Sequence, residues 1–128
     1  MVLDLCPGGD LAHHLSVREM FEESEARFFV AEVVLAIEYI HSLNVIYRDM
    51  KPENILVGAD GHIKLADFGL AKEGMSKANS RAKTFLGSPA YLAPEIFDSS
   101  GVSRSSDIYQ MGVVLYELLF GMPPFYTQ

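Results

Sequence analysis

Tyr47-Arg48-Asp49-Met50-Lys51-Pro52-Glu53-Asn54, and the run Ile55 to Gly69 behind it, is the stretch on which the reading of this chain turns. Two short apolar segments, Ile55 to Val57 and His62 to Leu65, flank Gly58-Ala59-Asp60-Gly61, whose Asp-Gly pair is a hairpin signal. Antiparallel strands return the chain to its starting point, so Asp67, just after the second strand, is expected near Asn54, just before the first. Asp49, Lys51, Asn54 and Asp67 would then form one cluster. Asn and Asp oxygens are hard donors that suit Mg2+, a cation that completes its shell with water or substrate phosphate. Asp49 would remain to orient a hydroxyl and accept its proton, with Lys51 offsetting charge on a transferring group.

Outward from this loop the chain predicts two long helices. One runs from about Glu23 to Leu43, with Ser24 or Glu22 as cap and Asn44 as stop; between Phe28 and Ile40 only Glu32 and Glu38 are charged, which predicts packing on most sides. The other starts near Ser106 or Asp107 and ends at Gly121 and Pro123-Pro124. From Met111 to Phe120 only Gly112 and Glu117 interrupt its apolar surface. Met1 to Leu5 reads as a short buried strand entering the turn Pro7-Gly8-Gly9, and Asp10-Leu11 begins a helical turn carrying His13, His14 and Leu15. From Asp67 to Glu95 there is no sustained period, so the segment reads as a long loop.

The 128 residues imply one domain, and 49% hydrophobic against 21% charged residues excludes a disordered chain. Ten Lys plus Arg against 17 Asp plus Glu give a net charge of −7, the wrong sign for nucleic acid or an anionic membrane as partner. The single cysteine, Cys6, excludes an internal disulfide and suits the cytoplasm or the nucleus. No stretch reaches the roughly 18 apolar residues of a membrane span. His13, His14, His41 and His62 lie on separate faces or elements, which predicts no histidine metal site.

Three motifs in this order, Y-R-D-M-K-P-E-N at 47–54, D-F-G at 67–69 and A-P-E at 93–95, resemble the eukaryotic protein kinases. The likeness runs end to end. Tyr47, Lys51, Gly87-Ser88-Pro89 and L-G-S-P-A-Y-L-A-P-E are similar to serine/threonine kinases of the AGC group, which includes the cAMP-dependent, S6 and Akt-type enzymes. The resemblance implies an α+β, kinase-like fold. Residues 1–128 would be one partial kinase domain, a mainly helical large-lobe fragment with a small hairpin, from the hinge to the helix after A-P-E.

It also implies roles, position by position. Asp49 would be the catalytic base and Lys51 the lysine on the phosphate of ATP, while Asn54 and Asp67 would hold Mg2+. Leu3 would guard the pocket behind adenine, and Asp4 and Cys6 would be the hinge whose backbone meets it. Asp10 would accept from ribose hydroxyls, and Glu53 would border the nucleotide from the same loop. Leu11 and Leu56 would sandwich adenine, although the residues by themselves read as ordinary core. Thr84 would be phosphorylated by an upstream activating kinase, with Arg48 and Lys72 receiving the phosphate. The Ser88 hydroxyl would bond Asp49 and Lys51, and Asp107 would cap backbone of the catalytic loop. Asp10, Glu53 and Glu117 would receive arginines before the target Ser or Thr of protein substrates. Glu117, a carboxylate in an apolar helix, needs a partner on physical grounds alone.

The departures are absences. Before Met1 the resemblance implies a glycine-rich loop, a phosphate-binding lysine and its helix Glu, and after Gln128 the helices that finish the large lobe. The 128 residues alone are therefore expected to be aggregation-prone and inactive, with apolar faces uncovered. The alternative is a non-catalytic interaction or decoy module beginning at Met1, which coding sequence upstream of Met1 would distinguish.

Overall fold

The computed structural model describes residues 4–73, 88–97 and 102–126. Its helices are α1 (Leu11–Arg18), α2 (Glu23–Ser42) and α3 (Arg104–Phe120), and its strands β1 (Val45–Ile46), β2 (Ile55–Val57), β3 (Ile63–Leu65) and β4 (Lys72–Glu73). Each helix begins where a side chain can replace a missing intrahelical partner. Asp10 Oδ1 accepts from the His13 N–H at 2.7 Å to start α1, Glu25 accepts from the Glu22 N–H at 3.2 Å to start α2, and Ser106 Oγ accepts from the Ser103 N–H at 3.1 Å to start α3. The start of α3 thus lies two residues before Ser106, because Ser103 supplies the cap.

The ends are set by left-handed backbone. Asn44 follows α2 at φ 57°, and Gly121 follows α3 at φ 78°. A Cβ on Gly121 would sit 2.5 Å from the Glu19 carbonyl oxygen, so both conformation and space demand glycine there. The close approach matters, because the Phe21 N–H donates to the Leu118 carbonyl at 2.8 Å and joins the α1–α2 corner to the end of α3.

The core lies between α2 and α3. Ala26, Val33, Ile37 and Ile40 form the buried stripe of α2, facing Met111, Val113, Val114 and Leu118 of α3. A fully buried Ile or Leu of this kind contributes about 1.5–3 kcal/mol. The expectation that α2 is packed on most sides is corrected: Val34, Leu35 and Tyr39 are 45, 64 and 66% exposed, because the stripe turns one face to α3 and no other described element covers the opposite one.

The predicted hairpin is present, with Ile55 opposite Leu65, Leu56 opposite Lys64 and Val57 opposite Ile63. It is fastened to α2 by Glu32, whose carboxylate accepts from the Ile63 N–H at 2.9 Å and binds His62 Nδ1. The Pro7-Gly8-Gly9 turn lies on its other edge through Gly8 N–H to Val57 C=O, 3.0 Å, and Val57 N–H to Gly9 C=O, 2.8 Å. Two sequence expectations fail. Asp4 to Cys6 carry no strand and Leu5 is 86% exposed, since no described element packs on it; Met1 to Leu3 lie outside the described residues. The segment after Asp67 is not all loop: β4 pairs antiparallel with β1, Val45 opposite Glu73 and Ile46 opposite Lys72. Two residues are too few to show a period.

Candidate active site

The loop between β1 and β2 is held from outside itself. Asp107 on α3 is fully buried and accepts three hydrogen bonds: Oδ2 from the Tyr47 N–H at 2.9 Å and from His41 Nε2 at 2.7 Å, Oδ1 from the Arg48 N–H at 2.8 Å. These bonds keep Arg48 at φ 73°, a left-handed conformation that costs a non-glycine residue about 1–3 kcal/mol. The backbone capping expected of Asp107 is therefore present, with His41 as an unanticipated third donor.

That strained corner aims Asp49. Its carboxylate is 6% exposed, and Oδ2 accepts from Asn54 Nδ2 at 2.9 Å and pairs with Lys51 Nζ at 3.2 Å. Oδ1 has no partner among the described residues. Asn54 Nδ2 also donates to the Asp49 carbonyl at 2.8 Å. Both bonds use the amide nitrogen, and neither uses the amide oxygen of Asn54.

The hairpin delivers the second oxygen donor. The Ala66 N–H donates to the Asn54 carbonyl at 2.9 Å, which fixes the residue next to Asp67 against the 47–54 loop. Tyr47, fully buried, donates its hydroxyl to the Ala66 carbonyl at 2.5 Å and meets the Phe68 ring edge-on at 5.2 Å between centroids. Burial raises the Tyr47 phenol well above its ordinary value, and the carboxylates of Asp49 and Asp67 push the same way. It stays protonated and donates. Asp67 itself is exposed at φ 52°, with Oδ1 accepting from the Gly69 N–H at 3.1 Å. One Asn oxygen and one carboxylate on adjoining segments fit Mg2+, which needs few protein oxygens.

The remaining predicted residues divide. Cys6, Asp10 and Leu56 lie together, since Asp10 bridges Leu56 and the intervening glycines bond Val57. Asp4 turns its side chain to Lys64 Nζ at 3.0 Å on β3. Leu11 is a correction: at 0% exposure it is core beneath this corner and offers no surface to a ligand. Leu3 and Thr84 lie outside the described residues. Arg48 Nε donates to the Leu70 carbonyl at 2.5 Å, and its burial lowers the guanidinium's affinity for its proton. Ser88 starts the turn Pro89–Tyr91, and no hydrogen bond joins its hydroxyl to Asp49 or Lys51 among the described residues.

Glu117 has the partner its sequence context demanded. Tyr91, which sequence reasoning missed, donates its hydroxyl to Glu117 Oε2 at 2.6 Å. Desolvation raises the Glu117 carboxyl, the Tyr91 bond opposes this, and the charge of Glu53 raises it further. A Tyr in a Pro-rich turn carries no signal of a carboxylate so far along the chain.

All 128 residues match the protein kinase domain family. The chain is 50% identical over 127 residues to serine/threonine-protein kinase Sgk1 and 52% identical to Sgk2, both of Homo sapiens, and 50% identical to Sgk1 of Gallus gallus. In each case 99% of this chain is aligned, covering 29% of each Sgk1 and 34% of Sgk2. The chain thus spans about a third of the length of the curated relatives it matches. It belongs to the protein kinase family, and its relatives are of the AGC group that the sequence motifs indicated.

Proposed function

We propose that the chain is the large-lobe catalytic part of a protein serine/threonine kinase that transfers the γ-phosphate of ATP to Ser or Thr of protein substrates. The observation that carries this is the Asp49 carboxylate: Lys51 and Asn54 occupy Oδ2, and Oδ1 is left for an incoming hydroxyl. As that hydroxyl oxygen attacks the γ-phosphorus, Asp49 Oδ1 takes its proton and ADP leaves with the bond to the bridging oxygen. Lys51 offsets charge on the transferring group. Asn54 and Asp67 would hold Mg2+, which neutralises phosphate charge when bound. Asp4, Cys6, Asp10 and Leu56 would border the nucleotide, with Leu3 at the back of the pocket and Glu53 beside it. Residues 1–128 would run from the hinge to the helix after A-P-E. The test is transfer of labelled phosphate from ATP to a Ser/Thr peptide by the full-length protein, with and without Mg2+; no transfer with the metal present would refute it.

Regulation would act through Arg48. Its Nε is taken by Leu70, and its terminal nitrogens have no partner among the described residues, a receptor for a phosphate on Thr84 placed by an upstream kinase. Thr84→Ala is expected to lower full-length activity by about tenfold or more, if the phosphate orders the site. Activity equal to wild type would sink the switch.

Substrate choice would follow the acids. Glu117 stands half-buried with its carboxyl raised by desolvation, and Glu53 is near enough to raise it further. A substrate guanidinium between them would relieve both effects. With Asp10 as a third acid, the enzyme is expected to prefer Arg two or three residues before the target, and Ser88 would border the same track. In a peptide array, Glu53→Gln with Glu117→Gln should reduce that preference roughly tenfold, equivalent to about 1.4 kcal/mol. An array with no basic preference in the wild type would overturn this reading. No described helix is long and apolar enough to cross a membrane. The single cysteine suits a reducing compartment, and on that ground we place the enzyme in the cytoplasm or nucleus.

A further inference from the structure

Asp107 is not the only side chain of α3 that reaches the catalytic loop. Gln110, three residues on and therefore on the same helix face, is 2% exposed. Its Oε1 accepts from the Met50 N–H at 3.2 Å, and its Nε2 donates to the Arg48 carbonyl at 3.3 Å. Those groups belong to the two peptide bonds on either side of Asp49. Pinning both peptide planes sets both backbone dihedrals of Asp49, and so the direction in which its carboxylate leaves the chain.

We propose that Gln110 is a positioning residue for Asp49, a planar amide that clamps the peptides before and after the base. Only one orientation of the amide works, because a flip would set its NH2 against the Met50 N–H and its oxygen against the Arg48 carbonyl. Asp107 holds the Arg48 N–H and Gln110 the Arg48 carbonyl, so the left-handed residue is gripped at both ends. An ionised carboxylate in place of the amide lacks the donor, lysine lacks the acceptor, and an apolar side chain leaves two buried backbone groups unpaired. Without the clamp Arg48 can relax toward ordinary φ, and Asp49 Oδ1 turns away from an incoming hydroxyl. The inference rests on the reading of Asp49 as the base, but the clamp itself can be tested without that reading.

The experiment compares wild type, Gln110→Met and Gln110→Glu in the full-length protein by amide hydrogen exchange and steady-state kinetics. Gln110→Met keeps the size and removes both hydrogen bonds. Exchange at Met50 should quicken by about tenfold or more while Val113 and Val114 on α3 keep their rates. At the same time kcat should fall by about 10²-fold, with KM for ATP changed less than about twofold. Gln110→Glu offers a donor and an acceptor only when its carboxyl is protonated, so its kcat relative to wild type should recover as pH is lowered, whereas the Gln110→Met ratio stays flat. Unchanged exchange at Met50 in Gln110→Met overturns the clamp. So does a kcat loss accompanied by faster exchange throughout α3, which marks a merely structural role. If Gln110→Met does not fold, the pH profile of Gln110→Glu decides alone, and a flat ratio rejects the proposal. If wild type transfers no phosphate, the proposed function fails, and Met50 exchange still decides whether Gln110 pins the loop.

Discussion

Replacing Asp49 by asparagine is expected to lower kcat of the full-length protein by roughly 10²–10⁴-fold, the range supplied by a positioned general base. The substitution preserves shape. The Asn54 bond to the residue-49 carbonyl at 2.8 Å does not involve the side chain and should persist, as should the backbone bonds that α3 makes to the loop. What disappears is the basic oxygen and the charge that pairs with Lys51 at 3.2 Å. The loss should therefore fall on kcat, with KM for ATP changed little, since the nucleotide is proposed to be held by other residues. Fold stability should stay within about 1 kcal/mol of wild type, because the carboxylate replaced meets solvent at one oxygen and the amide retains an acceptor. Kinetics at saturating ATP together with a thermal melt check both halves. Retention of more than about a tenth of wild-type kcat would remove Asp49 from the role of base.

The second large effect is on stability. Asp107→Ala should cost about 3–5 kcal/mol in denaturant unfolding, the range for removing one partner of a buried charged network. That is a substantial share of the roughly 5–15 kcal/mol that holds a domain together. Three donors converge on this carboxylate at 2.7, 2.8 and 2.9 Å, and alanine leaves all three without the acceptor that a 0% exposed side chain supplied. Two of them are the backbone N–H groups that hold Arg48 in its left-handed corner, so the loop relaxes as the helix loses its anchor. Asp107→Asn keeps one oxygen and turns an NH2 toward the other donors, and should fall between wild type and alanine. A cost below about 1 kcal/mol for Asp107→Ala would mean that the loop is held by other contacts.

The hairpin was legible because its signal is local. An Asp-Gly turn between two short apolar runs specifies antiparallel pairing, and pairing alone brings the segment of Asp67 to Asn54. Helix ends were legible for the same reason, with Asn44 and Gly121 adopting the left-handed conformation their types favour. The error at the start of α3 arose where three serines and an acid, Ser103, Ser105, Ser106 and Asp107, compete as caps within little more than one turn. Glu117 was legible in a different sense: a carboxylate among apolar neighbours announces that it has a partner without naming it.

What the sequence by itself determined is the order and spacing of the chemical groups, the hairpin that gathers them, and through three motifs the kinase family. Only the tertiary structure decided that α2 buries one stripe, that Leu11 is core, that β4 pairs with β1, and that Asp107, Gln110 and Tyr91 find partners far along the chain. The physical reason is the range of the interactions. Turns and caps join residues a few positions apart, where backbone geometry allows few alternatives. A buried side chain reaching a backbone group some sixty residues away is chosen by helix packing, which many residues share and no short pattern encodes.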